Sequence, residues 1–202
     1  MIELSAAELA ARDAYKLMIG IIVPRAIAFV STISAAGQVN LAPFSFFTGV
    51  GQDPPMLCFS IIARKGQPKD TLRNIEQTRE FVVCSVSEEI ASQMNLTSGD
   101  YPPDNDEFAI AGLTAAPSVV VRPPRVAESL TAMECKLHQI VTVGNAPSIA
   151  SIVIGEIVHF RIAEQLYQAG RVDQQALHAI GRMAGDGYSR TNDQFELKRP
   201  VV

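Results

Sequence analysis

Ala26-Ile27-Ala28-Phe29-Val30-Ser31-Thr32-Ile33, Val39-Asn40-Leu41-Ala42-Pro43-Phe44 and Met56-Leu57-Cys58-Phe59-Ser60-Ile61-Ile62-Ala63 are short runs rich in Ile, Val and Phe. Ala36-Gly37 separates the first two, and Gly51-Gln52-Asp53-Pro54-Pro55 precedes the third. β-Branched and aromatic side chains suit a pleated, packed surface, whereas Gly, Pro and Asp punctuate it, so this block reads as strands joined by turns. Working outward, Glu80–Val86 returns to the same pattern. Met133, Cys135 and Leu137 alternate with Glu134, Lys136 and His138, and Ile149–Ile162 is a β-branched run with Gly155 as the expected bulge; the two should form a long antiparallel pair. Short strands spaced by turns predict a mainly β (α+β) fold, an antiparallel β-barrel closed on itself with peripheral helices, rather than a βαβ sheet.

The helices are sparse. Ser5-Ala6-Ala7-Glu8 has the form of a capping box, with Leu4 and Leu9 as its hydrophobic staple, and predicts a helix from Ala6 to about Met18 that stops at Gly20. Lys69–Gln77 has helical spacing with Asp70 as N-cap, Ser87–Asn95 reads as a short helix, Thr97 to Glu107 as loop, and Asp173–Ile180 as a last helix. No repeat or low-complexity segment interrupts the 202 residues, so one domain over 1–202 is expected, with the glycine-punctuated, basic tail 181–202 as an arm or lid.

Composition narrows the function. With 48% hydrophobic and 19% charged residues the chain can build a packed core. A formal charge of −4 gives no general attraction for nucleic acid or an anionic membrane. The apolar stretch from Ile19 to Val30 is broken by Pro24 and Arg25, and 149–162 carries Glu156, His159 and Arg161, so neither is a membrane span. Glu3, Glu8, Arg12 and Asp13 leave the N-terminus without the basic start and apolar centre of a secretion signal, which points to a cytoplasmic protein. Cys58, Cys84 and Cys135 lack CxxC spacing and read as buried thiols; His138, His159 and His178 lack HxH or HExxH spacing, and no metal site is expected. No GxSxG, GxGxxG or GxxxxGK[ST] occurs, which argues against hydrolysis and against a Rossmann or P-loop nucleotide site. Asp104, Asp106 and Glu107 form a proline-flanked acidic loop expected to be solvated.

The informative feature is a break in charge. Ala26–Ala63 contains one charged residue, Asp53, and five of the nine Phe; Arg64–Arg79 then carries Arg64, Lys65, Lys69, Arg73 and Arg79 against Asp70 and Glu76. An apolar, aromatic sheet thus leads directly into a cationic loop and a helix N-terminus, an arrangement suited to a ligand with a flat apolar end and an anionic end. Ser31, Thr32, Asn40 and Ser45 add uncharged hydrogen-bonding groups to the apolar part.

The order of residues carries a resemblance. Val23-Pro24-Arg25-Ala26, Phe29-Val30-Ser31-Thr32, Asn40-Leu41-Ala42-Pro43-Phe44-Ser45-Phe46-Phe47, Asp53-Pro54-Pro55 and Pro68-Lys69-Asp70-Thr71-Leu72-Arg73-Asn74 resemble the signature of the flavin reductase-like, FMN-binding split-barrel family, which includes flavoredoxin. The likeness continues through Met94-Asn95, Asp106-Glu107-Phe108, Pro123-Pro124-Arg125, Ile154-Gly155-Glu156 and Gly181-Arg182 to Tyr188 and Arg190. It implies a six-stranded antiparallel split β-barrel that forms a homodimer and binds FMN near the subunit boundary. Carried over by position, Thr32, Asn40, Phe44, Ser45, Phe46 and Phe47 would line the flavin, while Arg64, Lys65, Lys69 and Thr71 would hold its phosphate. Loops on a rigid barrel usually carry the substrate contacts, so the Asn95–Phe108 loop and the tail with Arg182, Tyr188 and Arg190 are the candidate substrate-binding covers, Tyr188 to stack and Arg190 to meet a substrate anion; the alternative is a tail that packs on its own subunit or the partner. The implied activity is an oxidoreductase in which NADH or NADPH gives hydride to FMN, with free flavin or a protein as acceptor. The alternative is an electron carrier or storage protein without a specific nicotinamide site. Hydride transfer between stacked rings asks for geometry more than for acid–base groups, so no catalytic side chain is named.

Overall fold

The computed structural model describes residues 1–102 and 104–201. In chain order it runs α1 (Ala11–Ile21), β1 (Ala28–Ile33), β2 (Val39–Phe44), β3 (Phe47–Gln52), β4 (Pro55–Ile62), α2 (Asp70–Thr78), β5 (Glu80–Cys84), α3 (Ala91–Leu96) and α4 (Glu107–Ala111). Two short strands, β6 (Ala115–Ala116) and β7 (Arg125–Val126), precede the long β8 (Thr131–Val143) and β9 (Ala150–Ile162); β10 (Tyr167–Gln168), β11 (Arg171–Val172), β12 (Ile180–Arg182) and β13 (Tyr188–Arg190) finish the chain as two small hairpins. No helix among the described residues is long and apolar enough to cross a membrane.

The main sheet is antiparallel and has the order β2-β1-β5-β8-β9-β4-β3. It therefore has seven strands where six were expected, and it is not closed by hydrogen bonds. The additional strand is β3, whose Thr48-Gly49-Val50-Gly51 carries no apolar alternation and lies largely exposed at an edge. Its neighbour in sequence, β2, occupies the opposite edge, yet only Ser45 and Phe46 separate them. The sheet rolls until these edges approach, bringing the Phe44 ring at the end of β2 to 5.3 Å from Phe59 of β4, the strand beside β3. The result is a barrel split along one seam.

Inside, Phe44, Phe59 and Phe81 pack in succession, joined by Val30, Ile61, Cys135 and Val153, and α2 fills one end with Leu72 and Ile75. Outside, Phe29, Leu41, Val82 and Cys84 meet Met94 of α3 and Phe108 and Ala111 of α4. β1 and β5 are sandwiched between these two cores, which is why they read as continuous apolar runs without alternation. Glu134, 2% exposed, accepts from the amides of Val119, Val120 and Val121 at 2.8, 2.6 and 3.1 Å and so fastens the 119–121 loop to the sheet. Burial pushes its carboxyl up, but those amides outweigh it and the net shift is downward. Cys84 and Cys135 are buried, burial lifting the Cys84 thiol to about 11, while Cys58 is half-buried.

Several local expectations are corrected. α1 begins at Ala11 rather than Ala6: Ser5 caps nothing, its carbonyl instead closing a turn with the Glu8 amide, and the N-cap Ala10 brings no side-chain acceptor. The helix runs through Gly20 because the buried Arg25 guanidinium donates to the carbonyls of Ile19 and Ile22 at 2.7 Å, partners that terminal helix carbonyls otherwise lack. The N-cap of α2 is Lys69, one residue before Asp70. Glu107 starts a helix, α4, capped by the Asp106 carboxylate, so Asp106 is not a merely solvated acid. Asp173 accepts from the amides of Gln175 and Ala176, but only a turn forms; the chain is pulled extended where the Ile180 amide joins the Val86 carbonyl. Gly155 sits at one of two irregularities, with the extra residue on the partner strand: His138 of β8 is unpaired opposite the Gly155–Ile154 step, and on β9 itself the unpaired residue is Val158.

Gly155 has a different role. A Cβ there would lie 2.3 Å from Phe81 Cζ. Since Phe81 is fully buried, it has nowhere to retreat. Gly155→Ala should lower stability by about 1–3 kcal/mol, read by thermal or denaturant unfolding, and Phe81→Leu in that background should recover part of the loss. An unchanged melting temperature would show that the ring yields freely.

Candidate functional site

The barrel seam opens into a groove. Its widest part is a cleft of about 320 Å³ between the end of β2, the Arg64–Gln67 turn, the start of α2 and the 97–101 loop. Two shallower pockets of about 140 Å³ extend it, one by Tyr15, Phe46 and Ser60, the other by Met94, Arg182 and Tyr188. Pro43 lines all three, Lys69 and Ser98 line two each, and Ser45 lies in both shallow parts.

The cationic end is built by a tight turn. Lys65 and Gly66 have φ of 49° and 75°, and Arg64 and Gln67 exchange backbone hydrogen bonds at 2.9 and 2.8 Å; two left-handed residues in a two-residue loop suit a type I′ turn. The turn sets Arg64 and Lys65 beside the N-terminus of α2, which no side chain caps. The positive end of that helix dipole and its free amides therefore face the same space as Arg64, Lys65 and Lys69. Lys69 lies 5.5 Å over the Phe44 ring. Burial lowers its ammonium pKa, the Arg64 charge adds to that, and the Asp100 carboxylate opposes it.

Behind the cleft a buried polar network fixes the barrel end. The Asn40 amide donates to Thr71 Oγ1 at 3.0 Å and to Thr32 Oγ1 at 3.3 Å, and the Asn74 amide donates to Thr32 at 3.1 Å. Asn40 and Thr71 line the cleft, whereas Thr32 sits behind and supports them. Ser31 faces the other side of β1, fully buried, and is not part of the groove.

The expected site residues are largely brought together. Asn40, Arg64, Lys65, Lys69 and Thr71 share the cleft, and Phe44, Ser45 and Phe46 line the adjoining pocket. Phe47 does not join them; it lines a separate apolar cavity with Ile27, Val83 and Met133. Arg182 and Tyr188 reach the groove, the guanidinium 4.6 Å over the tyrosine ring and the Tyr188 hydroxyl donating to Asn95 Oδ1 at 3.1 Å. Arg190 is engaged by Glu88, with Nε 2.9 and 2.8 Å from the carboxylate oxygens, and lines none of the three parts.

Two acidic residues join the cleft that the sequence does not point to as site residues: Glu107, expected to be solvated, and Asp100. Glu107 lines the cleft and accepts from the Leu41 amide at 3.2 Å; burial raises its pKa against the pull of its backbone donors. Asp100 ion-pairs with Arg64, Nη1 to Oδ1, at 2.6 Å. Only the three-dimensional approach of 97–101 and 107 to β2 reveals either one.

Residues 20–181 match the model described as "Flavin reductase like domain", and the chain belongs to that family. It is 41% identical over 198 residues to the protein BH2278 of Halalkalibacterium halodurans, covering 96% of this chain and 94% of that one. Nitrilotriacetate monooxygenase component B from Bacillus cereus superposes with a TM-score of 0.94 at 36% identity, covering 98% of each chain. The 2-nitrobenzoate 2-nitroreductase NbaA of Pseudomonas fluorescens gives 0.89 at 33%, with 99% of this chain and 97% of that one covered.

Proposed function

We propose that the protein binds FMN in the seam groove and acts as an oxidoreductase that takes hydride from NADH or NADPH. The observation that carries this reading is the meeting, within one groove, of a cationic cleft at an uncapped helix N-terminus and a wall of Pro43, Phe44 and Phe46. A flavin mononucleotide has the matching pair of ends, a dianionic phosphate and a flat apolar ring. Family membership supports the flavin, and the donor set supports the phosphate.

In this reading Arg64, Lys65, Lys69, Thr71 and the first amides of α2 hold the phosphate, Asn40 meets the sugar chain, and the Phe44–Phe46 stretch flanks the ring. Bound flavin supplies two-electron chemistry, accepting hydride and passing reducing equivalents onward. The side chains bind and orient; Arg182 and Tyr188 stand on the other side of Ser45, where a second ring can enter. The names of the two similar structures, a monooxygenase component and a nitroreductase, favour transfer to free flavin, a partner protein or a small acceptor over simple storage.

A homodimer is part of the proposal. None of the α1 side chains is buried within its own chain, Leu17, Met18 and Ile21 are exposed, and β3 is an open edge. Tyr15 of the same helix lines the groove 6.5 Å from Phe46. A second copy covering this face would complete the groove.

Three outcomes follow from this reading. Charge-assisted hydrogen bonds contribute roughly 1.5–3 kcal/mol, so Arg64→Ala should weaken FMN by about one to two orders of magnitude in fluorescence titration while leaving riboflavin much less affected; equal weakening of both flavins counts against a phosphate site. Anaerobic mixing with NADH or NADPH should bleach the flavin absorbance. A protein reduced by neither is the electron carrier instead. Light scattering should give twice the chain mass, and a flavin-loaded monomer would remove the second copy from the proposal.

A further inference from the structure

The cationic cleft is nearly self-neutralised. Arg64, Lys65 and Lys69 line it together with three carboxylates, Asp70, Asp100 and Glu107. Two of these are committed elsewhere: Asp70 pairs with Arg73, and Glu107 accepts from the Leu41 amide. Asp100 is different, because its partner is Arg64 itself, the guanidinium that lines the cleft. The pair joins the Arg64–Gln67 turn to the 97–101 loop across the cleft, with both side chains about half exposed. Lys69 feels both charges, with opposite effects on its ammonium.

From this geometry we infer that Asp100 is a built-in competitor for the flavin phosphate, occupying Arg64 when the cleft is empty and setting how readily the flavin leaves. The inference rests on the phosphate reading given above. A phosphate dianion that takes Arg64 must displace the Asp100 carboxylate and then sit near that displaced negative charge. Both effects oppose retention, and neither acts on a flavin without phosphate. Because the pair is solvent-accessible, its strength is modest, enough to tune affinity without abolishing it. The consequence is a flavin held weakly enough to exchange, with Asp100 as the residue that sets specificity between tight and loose binding.

The test uses the full-length protein and two probes, FMN and riboflavin, titrated by flavin fluorescence against wild type, Asp100→Asn, Arg64→Gln and the double variant. Asp100→Asn keeps the side-chain shape on an exposed loop. It should tighten FMN about fivefold, equivalent to about 1 kcal/mol, slow FMN dissociation in stopped flow, and leave riboflavin unchanged. In the Arg64→Gln background the same change should give a clearly smaller gain. Unchanged or weaker FMN binding by Asp100→Asn overturns the inference, as does equal tightening of both flavins or the same gain with and without Arg64. If wild type binds FMN no better than riboflavin, the phosphate reading falls as well; a retained FMN preference with a neutral Asp100→Asn removes only the competitor.

Discussion

The link Ser45-Phe46 constrains the whole molecule. Laid flat, seven strands at about 4.8 Å spacing would put the edges β2 and β3 roughly 29 Å apart, whereas three Cα–Cα steps from Phe44 to Phe47 span at most about 11 Å. A chain this short between opposite edges can be accommodated only if the sheet rolls up. The side chains agree with that demand: Phe44, Phe59 and Phe81 fill the enclosed space, and Gly155 leaves the room that the Phe81 ring takes. The unpaired His138 and Val158 lie within the longest strands, where such irregularities increase bending and twist.

The same link places the site. Because β2 and β3 are joined covalently rather than by a ladder, the barrel has a seam at Pro43–Phe46, and the groove lies along it. α2 enters the barrel end beside the seam through Leu72 and Ile75, which brings its N-terminus to the cleft. Thus the packing that stabilises the fold also aims a helix dipole and the Arg64–Lys65 turn at one point. The tail is tied to the region before and within α3 by Arg190 to Glu88, His178 to Glu89 and Tyr188 to Asn95, leaving Arg182 over the groove.

Much of this was legible in the residues because the signals were local. The abrupt change from the uncharged 26–63 block to the cations of 64–79 located the cleft, and β-branched runs located most strands. β3 escaped because an exposed, glycine-rich edge carries no periodic apolar signal. The helix expected at Asp173–Ile180 failed because backbone pairing with Val86 outweighed local capping, a contact between segments far apart in sequence. Asp100 and Glu107 were illegible as cleft residues for a similar reason: a carboxylate in a loop looks solvated until the fold sets Asp100 against Arg64 and Glu107 against the Leu41 amide. Arg25, legible as a break in an apolar stretch and as part of a motif, joins the end of α1 to the tail through the carbonyls of Ile19, Ile22 and Met183.

The free edge of β2 has a chemical polarity of its own. Thr32 opposite Asn40 and Ser34 opposite Gln38 are in step with the hydrogen-bonded pairs, so Val39, Leu41 and Pro43 turn their backbone groups away from β1. Of these, the Leu41 amide is taken by Glu107, and Pro43 has no amide hydrogen to offer. At Leu41 and Pro43 the edge therefore has carbonyl oxygens without a free amide beside them, whereas Val39 keeps its own. Another strand finds no continuous ladder to extend there, while a molecule that brings its own N–H or O–H groups finds acceptors already in place.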